Sequence, residues 1–313
     1  MTTVNPDLEY LLSNIDDDVK WALSAQIEVV EKDGNFTADQ ILSSSSNKWM
    51  KLPEVVAVAF DLVNSTKLGI RRHHTSSARI YQAGVEGAVR SLNAYGADFV
   101  DIQGDGGFGL FWGEMAYERA FCASLTIKTF SLKYVDRLKT KYGDKLPDTG
   151  FKVGIHAAPT LVKKIGTLRN TDEQEAVWAG KPVNYAFKCA QAADAHVLVI
   201  TEQVWGKFKN NDFVVYSCGC PDEDGISKGP TNEIWREGTN PKLPDDENAV
   251  HFVGSAWCVK HGAEFAHAIM EGETKRDDIA EMAREAAREK RAASLGLKQA
   301  RDRQARRDRQ YRI

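Results

Sequence analysis

The sequence has few cysteines, no long apolar run and no strong excess of either charge. Its 313 residues include five cysteines, an odd number at uneven spacing, which argues against a disulfide framework and favours a reducing compartment. No apolar run approaches the roughly 20 residues that a membrane-spanning helix needs, and the first residues are acidic where a signal peptide is basic. A net charge of -3 argues against nucleic-acid binding over the whole chain. We therefore expect a cytoplasmic protein, without a membrane segment, whose core is built from its 42% of hydrophobic residues.

The stretch VVAVAFDLVNST, from residue 55 to residue 66, organises the rest of the chain. Its β-branched and small apolar residues predict a strand that is buried on both faces, and Asp61 follows where the apolar run ends. An acid at the end of a buried strand is a candidate metal ligand. The polar turn after it consists of Val63, Asn64, Ser65 and Thr66. Because a helical pattern follows, the N–H groups of this turn are candidates for binding phosphate.

A second acid lies in a predicted hairpin turn. ADFVDIQGDGGFGLFWG has two short apolar runs around Gly104-Asp105-Gly106-Gly107, which is typical of a β-hairpin. Aspartate is common in such turns and usually satisfies only its own backbone, so Asp105 taken alone is a weak functional candidate.

The remaining polar candidates follow along the chain. His156 lies within an apolar strand pattern, where a hydrogen-bonded structural role is expected rather than catalysis. Asn184 and Lys188 are four residues apart and share one face of a predicted helix, and Lys228 lies in a glycine-bounded turn. The order of elements is strand, helix, hairpin, helix, strand, strand, helix, strand, which predicts an α+β fold with a mixed sheet.

Five motifs give this pattern a specific resemblance. They are FDLVNST, QGDGGFGLFW, KVGIHAAP, GKPVNYAFK and SKGPTNEIW. In order and spacing they resemble the class III nucleotide cyclases over about residues 53 to 237. The resemblance implies a mixed, mainly antiparallel sheet with flanking helices, and a head-to-tail homodimer with two composite sites.

The resemblance also implies roles for these residues. Asp61, Asp105 and the carbonyl of Leu62 would hold two divalent cations, Mg²⁺ or Mn²⁺, which prefer oxygen ligands. Asn184 matches the asparagine that orients the ribose. Lys188 stands where the family has an arginine on the α-phosphate, and it keeps the charge without the bidentate fork. Lys228 matches the lysine that meets the terminal phosphates.

The base-selecting positions depart from both purine cyclase patterns. They are occupied by Asp101 and, within one residue of register, Val177. The acid can accept the N3 proton of uracil, the amino group of cytosine or the N1 and N2 protons of guanine, while Val177 and Trp178 favour a smaller base by filling space. Alternatively, Asp101 only meets solvent on an edge strand.

With Lys188, these departures resemble the Pycsar antiphage pyrimidine cyclases. The resemblance implies conversion of UTP to cyclic UMP, a second messenger for a separate downstream effector. The alternatives are a cytidylate cyclase, then a guanylate cyclase, then an inactive nucleotide-binding sensor.

The predicted domain boundaries are an N-terminal helical segment over 1–50, a catalytic domain over 51–238 and a C-terminal extension over 239–313. The first segment has an amphipathic helical pattern that we expect to end near Gly34. In the extension, residues 239–250 form a polar linker. The last residues predict an exposed charged helix, whose basic end favours solubility over contact with nucleic acid.

Three cysteines and a histidine near the C-terminal extension suggest a further metal site. They are Cys218, Cys220, Cys258 and His261. Cys-Gly-Cys is tighter than the usual two-residue gap of zinc ligands, so we expect buried small hydrophobes and a structural histidine rather than zinc. Bound zinc would attach the extension to the catalytic domain and could support sensing.

Overall fold

The computed structural model describes residues 7–69, 74–143, 146–167, 170–220 and 231–310. Within these ranges the strands are β1 Glu28–Glu31, β2 Lys48–Leu62, β3 Phe99–Gln103, β4 Gly106–Phe111, β5 Phe151–Gly166, β6 Gln174–Gly180, β7 Leu198–Thr201, β8 Trp235–Thr239 and β9 Ala249–Val253. The α-helices are α1 Leu8–Ser24, α2 Ser65–Gly69, α3 His74–Ala94, α4 Ala116–Tyr142, α5 Lys181–Ala192, α6 Glu202–Phe208, α7 Asp212–Val215, α8 Gly262–Met270 and α9 Asp277–Gln310.

All nine described strands belong to one sheet, with the spatial order β3-β4-β2-β5-β7-β9-β8. β1 pairs with β2 and β6 with β5. Most neighbours are antiparallel, whereas β1–β2 and β5–β7 are parallel. The predicted α+β class, with a mixed and mainly antiparallel sheet between helices, is confirmed.

Strand β2 is buried on both faces because its side chains alternate between two packed layers. Val56, Val58 and Phe60 pack with α3 and α4 on one face. Ala57 and Ala59 belong to a second cluster on the other face, together with residues of α5. Small residues on this second face allow the helix to approach the sheet closely.

The first predicted boundary lies inside the sheet. Residue 50 falls within β2, and β1 pairs with the start of that strand, Glu28 with Lys48. Helix α1 ends at Ser24, ten residues before Gly34, so the prediction of a longer helix is wrong. The segment that follows α1 contains the adjacent β-branched pair of β1, which gains backbone partners in the sheet. Phe36 and Ile41 are also buried in the core, so this segment packs with the sheet.

The second predicted boundary, at residue 238, lies inside β8. β8 and β9 form an antiparallel hairpin, and β9 also pairs with β7, so the sheet continues to Val253. The residues expected to form a linker are the connection within this hairpin. Asn240 there is fully buried, and its side chain donates to the carbonyl of Lys188 at 3.0 Å. The segment predicted to be a polar linker is therefore a connection between two strands that is packed against α5.

The two terminal helices are solvent-exposed. α1 buries none of its residues, although its side chains include Leu8, Leu12 and Leu23. α9 extends from Asp277 to Gln310, as the charge pattern predicted. Among the described helices, none is both long and apolar enough to cross a membrane.

Candidate active site

The two predicted metal carboxylates lie at the neighbouring ends of β2 and of the β3–β4 hairpin. Phe60 pairs with Gly107, so the next register position brings Gly106 beside Asp61. A methyl group on Gly106 would lie 2.5 Å from the carbonyl oxygen of Phe60 and 3.4 Å from Asp61 Oδ1. The glycine thus permits a close approach of hairpin and strand. Asp105, the preceding residue, lies in the same turn and is also partly exposed.

A basic residue that sequence reasoning did not identify lies beside this pair. Lys152 is opposite Asp61 in the β2–β5 pairing, and its Nζ is 2.9 Å from Asp61 Oδ2. The two side chains face each other because they occupy paired register positions. The signal in the sequence was a lysine at the second position of a strand that is otherwise apolar at its start. Lys152 offsets the negative charge of Asp61 in the single chain.

The backbone around Leu62 favours its carbonyl as a third oxygen ligand. The N–H of Val63 donates to the carbonyl of Gly150 at 3.0 Å, on the β5 side. Successive residues of a strand direct their backbone groups to opposite neighbours. The carbonyl of Leu62 therefore faces the β4 side, which is the side of the hairpin whose turn contains Asp105.

The turn after β2 has some free donors and some occupied ones. The N–H of Val63 is bonded to Gly150, as described. Asn64 has a positive φ of 56° and its side-chain amide donates to the carbonyl of Asp148 at 2.7 Å, which holds the turn in place. The N–H of Leu68 donates the first helical hydrogen bond of α2, to the carbonyl of Asn64. The amides before it, including those of Ser65 and Thr66, form the open first turn of α2.

The ribose and phosphate candidates both lie on α5, Lys181–Ala192. Asn184 donates to the carbonyl of Gly180 at 3.1 Å, at the start of the helix. Gly180 pairs with Thr160, and Thr160 with Leu52, which is nine residues (61 − 52) from Asp61. From there α5 runs back along the sheet toward Asp61, because a methyl group on Gly154 would meet the backbone of Ala186 and Ala190, and Gly154 pairs with Ala59.

Lys188 also has a partner near its own helix. Its Nζ lies 5.1 Å from the centre of the Tyr185 ring, a cation–π contact. Asn184 and Lys188 are four residues apart on α5 and so share one helix face, as predicted.

Comparison with known proteins identifies the family. No protein-family model matches the chain. It is 55% identical over 271 residues to a uridylate cyclase from Propioniciclava tarda, across 86% of each chain. It is 43% identical over 276 residues to a uridylate cyclase from Micromonospora echinofusca, across 87% of each chain. The chain belongs to the uridylate cyclase family.

Solved structures show that this family member has the class III nucleotide cyclase fold. The adenylyl cyclase CyaB from P. aeruginosa superposes with a TM-score of 0.50 at 15% identity, over 66% of this chain and 96% of that one. The guanylyl cyclase Cya2 has a TM-score of 0.50 at 13% identity, over 65% and 92% respectively. At such identities the likeness concerns the fold alone.

The two base-selecting candidates of this uridylate cyclase family member lie in different surroundings. Asp101 pairs with Phe108 in the hairpin, is half-buried and accepts a hydrogen bond from the side chain of Gln103 at 3.2 Å. Residues two apart on a strand share a face, so Gln103 can orient this carboxylate. Val177 is 42% exposed, on the opposite side of β6 from the buried Trp178.

Lys228, the candidate for the terminal phosphates, lies outside the described residues.

His156 is buried and hydrogen-bonded, as predicted for a structural histidine. Its Nδ1 is 3.0 Å from Thr201 Oγ1, and its ring centre lies 4.8 Å from that of Tyr185. Burial lowers the pKa of His156 to about 4, with weaker and opposing effects from Glu247 and Lys181.

The three cysteines and the histidine of the second metal candidate do converge. Their potential ligand atoms all lie within 4.8 Å of one another. The cysteines among them are only partly buried, so the expectation that they are buried small hydrophobes is wrong. The two fully buried cysteines are Cys122 and Cys189, elsewhere in the core.

Proposed function

We propose that this protein is a uridylate cyclase that converts UTP to 3′,5′-cyclic UMP and pyrophosphate. The observation that carries the proposal is that Asp61 and Asp105 lie at neighbouring strand ends, in a chain more than half identical to a uridylate cyclase. Both relatives are named for uridylate, which favours uracil over cytosine and guanine.

The carboxylate pair suits two divalent cations. Asp61, Asp105 and the carbonyl of Leu62 are oxygen donors on adjoining backbone segments, the set that Mg²⁺ and Mn²⁺ prefer. When bound, such cations would lower the pKa of the ribose 3′ hydroxyl and neutralise charge on the departing pyrophosphate. Lys152 can release Asp61 to an incoming cation because their contact is a single, partly exposed ion pair.

The remaining contacts would orient the triphosphate for in-line attack on the α-phosphorus. The amides at the start of α2, with Ser65 and Thr66, would donate to the β- and γ-phosphates. The neutral amide of Asn184 suits a ribose oxygen, and Lys188 supplies positive charge to the α-phosphate. We assign the terminal phosphates to Lys228.

These contacts require two copies of the chain. Asn184 is hydrogen-bonded to Gly180, and in the class III cyclases that the motifs resemble, the helix with this asparagine and the metal carboxylates come from opposite subunits. A head-to-tail homodimer would place α5 of one copy over the carboxylates of the other. Each dimer would then have two equivalent sites.

Uracil selection would depend on Asp101. Its carboxylate can accept the N3 proton of uracil while the Gln103 amide holds it in position. Val177 would limit the size of the base from its exposed position on β6. We expect Asp101→Ala to reduce kcat/KM for UTP by about 10- to 100-fold, since a polar contact to the substrate is lost.

Activity can be tested by incubating the purified protein with each of the four ribonucleoside triphosphates and Mn²⁺ and identifying products by mass spectrometry. We expect cyclic UMP from UTP. Asp61→Asn and Asp105→Asn should each reduce the rate by about 100-fold or more, whereas Asp136→Asn, on the exposed face of α4, should not. If cyclic CMP is the main product, the substrate is CTP and not UTP. The absence of a cyclic product with all four nucleotides would contradict the proposal.

We further propose that the product is a second messenger in antiphage defence, acting on a separate effector. The proposal is supported by the resemblance of the motifs to the antiphage pyrimidine cyclases. Cells that carry the gene should accumulate cyclic UMP after phage infection, and cells with the Asp105→Asn variant should not. Accumulation at the same level without phage would contradict a role in the response to infection.

A further inference from the structure

A second, chemically different cluster lies away from the carboxylates. Cys218 and Cys220 follow α7, and Cys258 and His261 lie in the turn before α8. The three Sγ atoms and a ring nitrogen of the histidine are within 4.8 Å of one another. The two segments are 38 residues apart (258 − 220), so tertiary structure alone brings these groups together.

The spacing of the ligand atoms is close to that of a tetrahedral zinc site. Cys220 Sγ lies 3.4 Å from His261 Nδ1, and Cys258 Sγ lies 3.9 Å from the same atom. Bonds of about 2.3 Å to sulfur and 2.0 Å to nitrogen put tetrahedral ligand atoms roughly 3.5–3.8 Å apart. The widest pair in the cluster would need to close by only about 1 Å.

The backbone on both sides has the conformation that such a site requires. Gly219 separates the first two cysteines with φ of 70°, a left-handed conformation that L side chains rarely adopt, so the short Cys-Gly-Cys segment can turn both sulfurs inward. On the other side, the N–H of Gly262 donates to the carbonyl of Cys258 at 2.7 Å and closes a turn that ends at His261. The tight spacing is therefore compatible with metal binding.

The backbone around Cys258 also suits a metal ligand. The backbone N–H groups of Lys260 and His261 donate to its sulfur. N–H donors of this kind stabilise and orient metal-bound sulfur.

We propose that Cys218, Cys220, Cys258 and His261 together bind one structural zinc ion. Four protein ligands fill a tetrahedral shell and leave no position for substrate, which distinguishes a structural site from a catalytic one. Sulfur ligands select zinc over the magnesium or manganese that oxygen ligands prefer. The ion would cross-link the segment after α7 to the start of α8 and attach the C-terminal part of the chain to the sheet.

Metal content of the full-length protein tests the site directly. After passage over a chelating resin, elemental analysis should find about one zinc ion per chain. Cys220→Ala and Cys258→Ala should each lose most of it. Cys122→Ala, a matched change at a buried cysteine outside the cluster, should retain it, and so should Asp61→Asn, which excludes zinc held by the carboxylates.

Two further measurements do not depend on the stability of the variants. Cobalt substituted into the wild-type protein should give the intense thiolate charge-transfer and tetrahedral d–d absorption of a cysteine-rich site. Titration of the wild-type thiols with a mercurial reagent should release zinc in step with the loss of free thiol. Either result supports the proposal whether or not the alanine variants fold.

The proposal is overturned if folded wild-type protein binds neither zinc nor cobalt, or if its metal survives in folded Cys220→Ala and Cys258→Ala. It is also overturned if two of these cysteines form a disulfide in protein supplied with zinc. None of these readouts uses cyclase activity, so the zinc site and the catalytic proposal can fail independently.

Discussion

The strongest test of the composite site is to combine two inactive variants. Asp105→Asn damages the metal end of the site, and Asn184→Ala damages the ribose end. Within one chain, Asn184 is hydrogen-bonded to Gly180 at the start of α5. If each site takes these ends from different copies, a dimer of the two variants has one site with both defects and one site with neither.

The size of the recovery follows from this symmetry. The cyclisation rate of each variant homodimer should be about 100-fold or more below the wild-type rate, because both of its sites carry a defect. The mixed dimer has one intact site of two, so it should recover about half of the wild-type rate per dimer. A site contained in one chain would instead give no recovery.

The assay uses co-expression of the two variants with different affinity tags. Sequential purification isolates mixed dimers, and cyclic UMP production from UTP is then measured. The matched control combines Asp61→Asn with Asp105→Asn; both residues belong to the same end of the site, so every site stays defective and no recovery is expected. Recovery in the control, or its absence in the test pair despite a purified mixed dimer, would refute the two-copy arrangement.

Three further predictions concern stability and local geometry. Lys128 is fully buried without a hydrogen-bond partner among the described residues, and burial lowers its pKa from 10.5 to about 8. Lys128→Met should therefore raise the free energy of unfolding by roughly 3 kcal/mol at pH 7, and the gain should vanish above about pH 10; an equal gain at both pH values in urea titrations would contradict this. The folded state disfavours protonated His156, so wild-type stability should fall by about 2 kcal/mol between pH 7 and pH 5 through this residue, and His156→Gln should show a correspondingly shallower pH profile; parallel profiles would sink the idea. Gly106→Ala should abolish cyclisation, because its methyl group meets the backbone of β2 and moves the hairpin away. Gly104→Asn, at an open position of the same turn, should retain activity, and retention by both variants would show that the close approach is unimportant.

Local patterns were sufficient for the elements that carry the site. The apolar run before Asp61 predicted β2, and the Asp-Gly turn at Asp105 predicted the β3–β4 hairpin, because alternation and turn chemistry are properties of neighbouring residues. The fold class is confirmed. The roles of the site residues remain predictions.

Predictions that depended on distant partners were less successful. α1 stops ten residues before Gly34 because the following segment pairs with β2, which no local pattern indicates. Likewise, the polar segment after residue 238 is packed because Asn240 finds a buried partner on α5. Lys152 was missed because its significance arises only from pairing opposite Asp61.

The amino-acid sequence by itself determined which groups are available: two carboxylates at strand ends, an amide and a lysine on one helix face, and soft ligands in two short pairs. Tertiary structure alone decided which of these meet. Strand register brings the hairpin against Asp61, and the fold joins Cys220 to His261 across 41 positions. The reason is physical, since backbone propensity acts over a few residues, whereas register and packing are selected by the whole core at once.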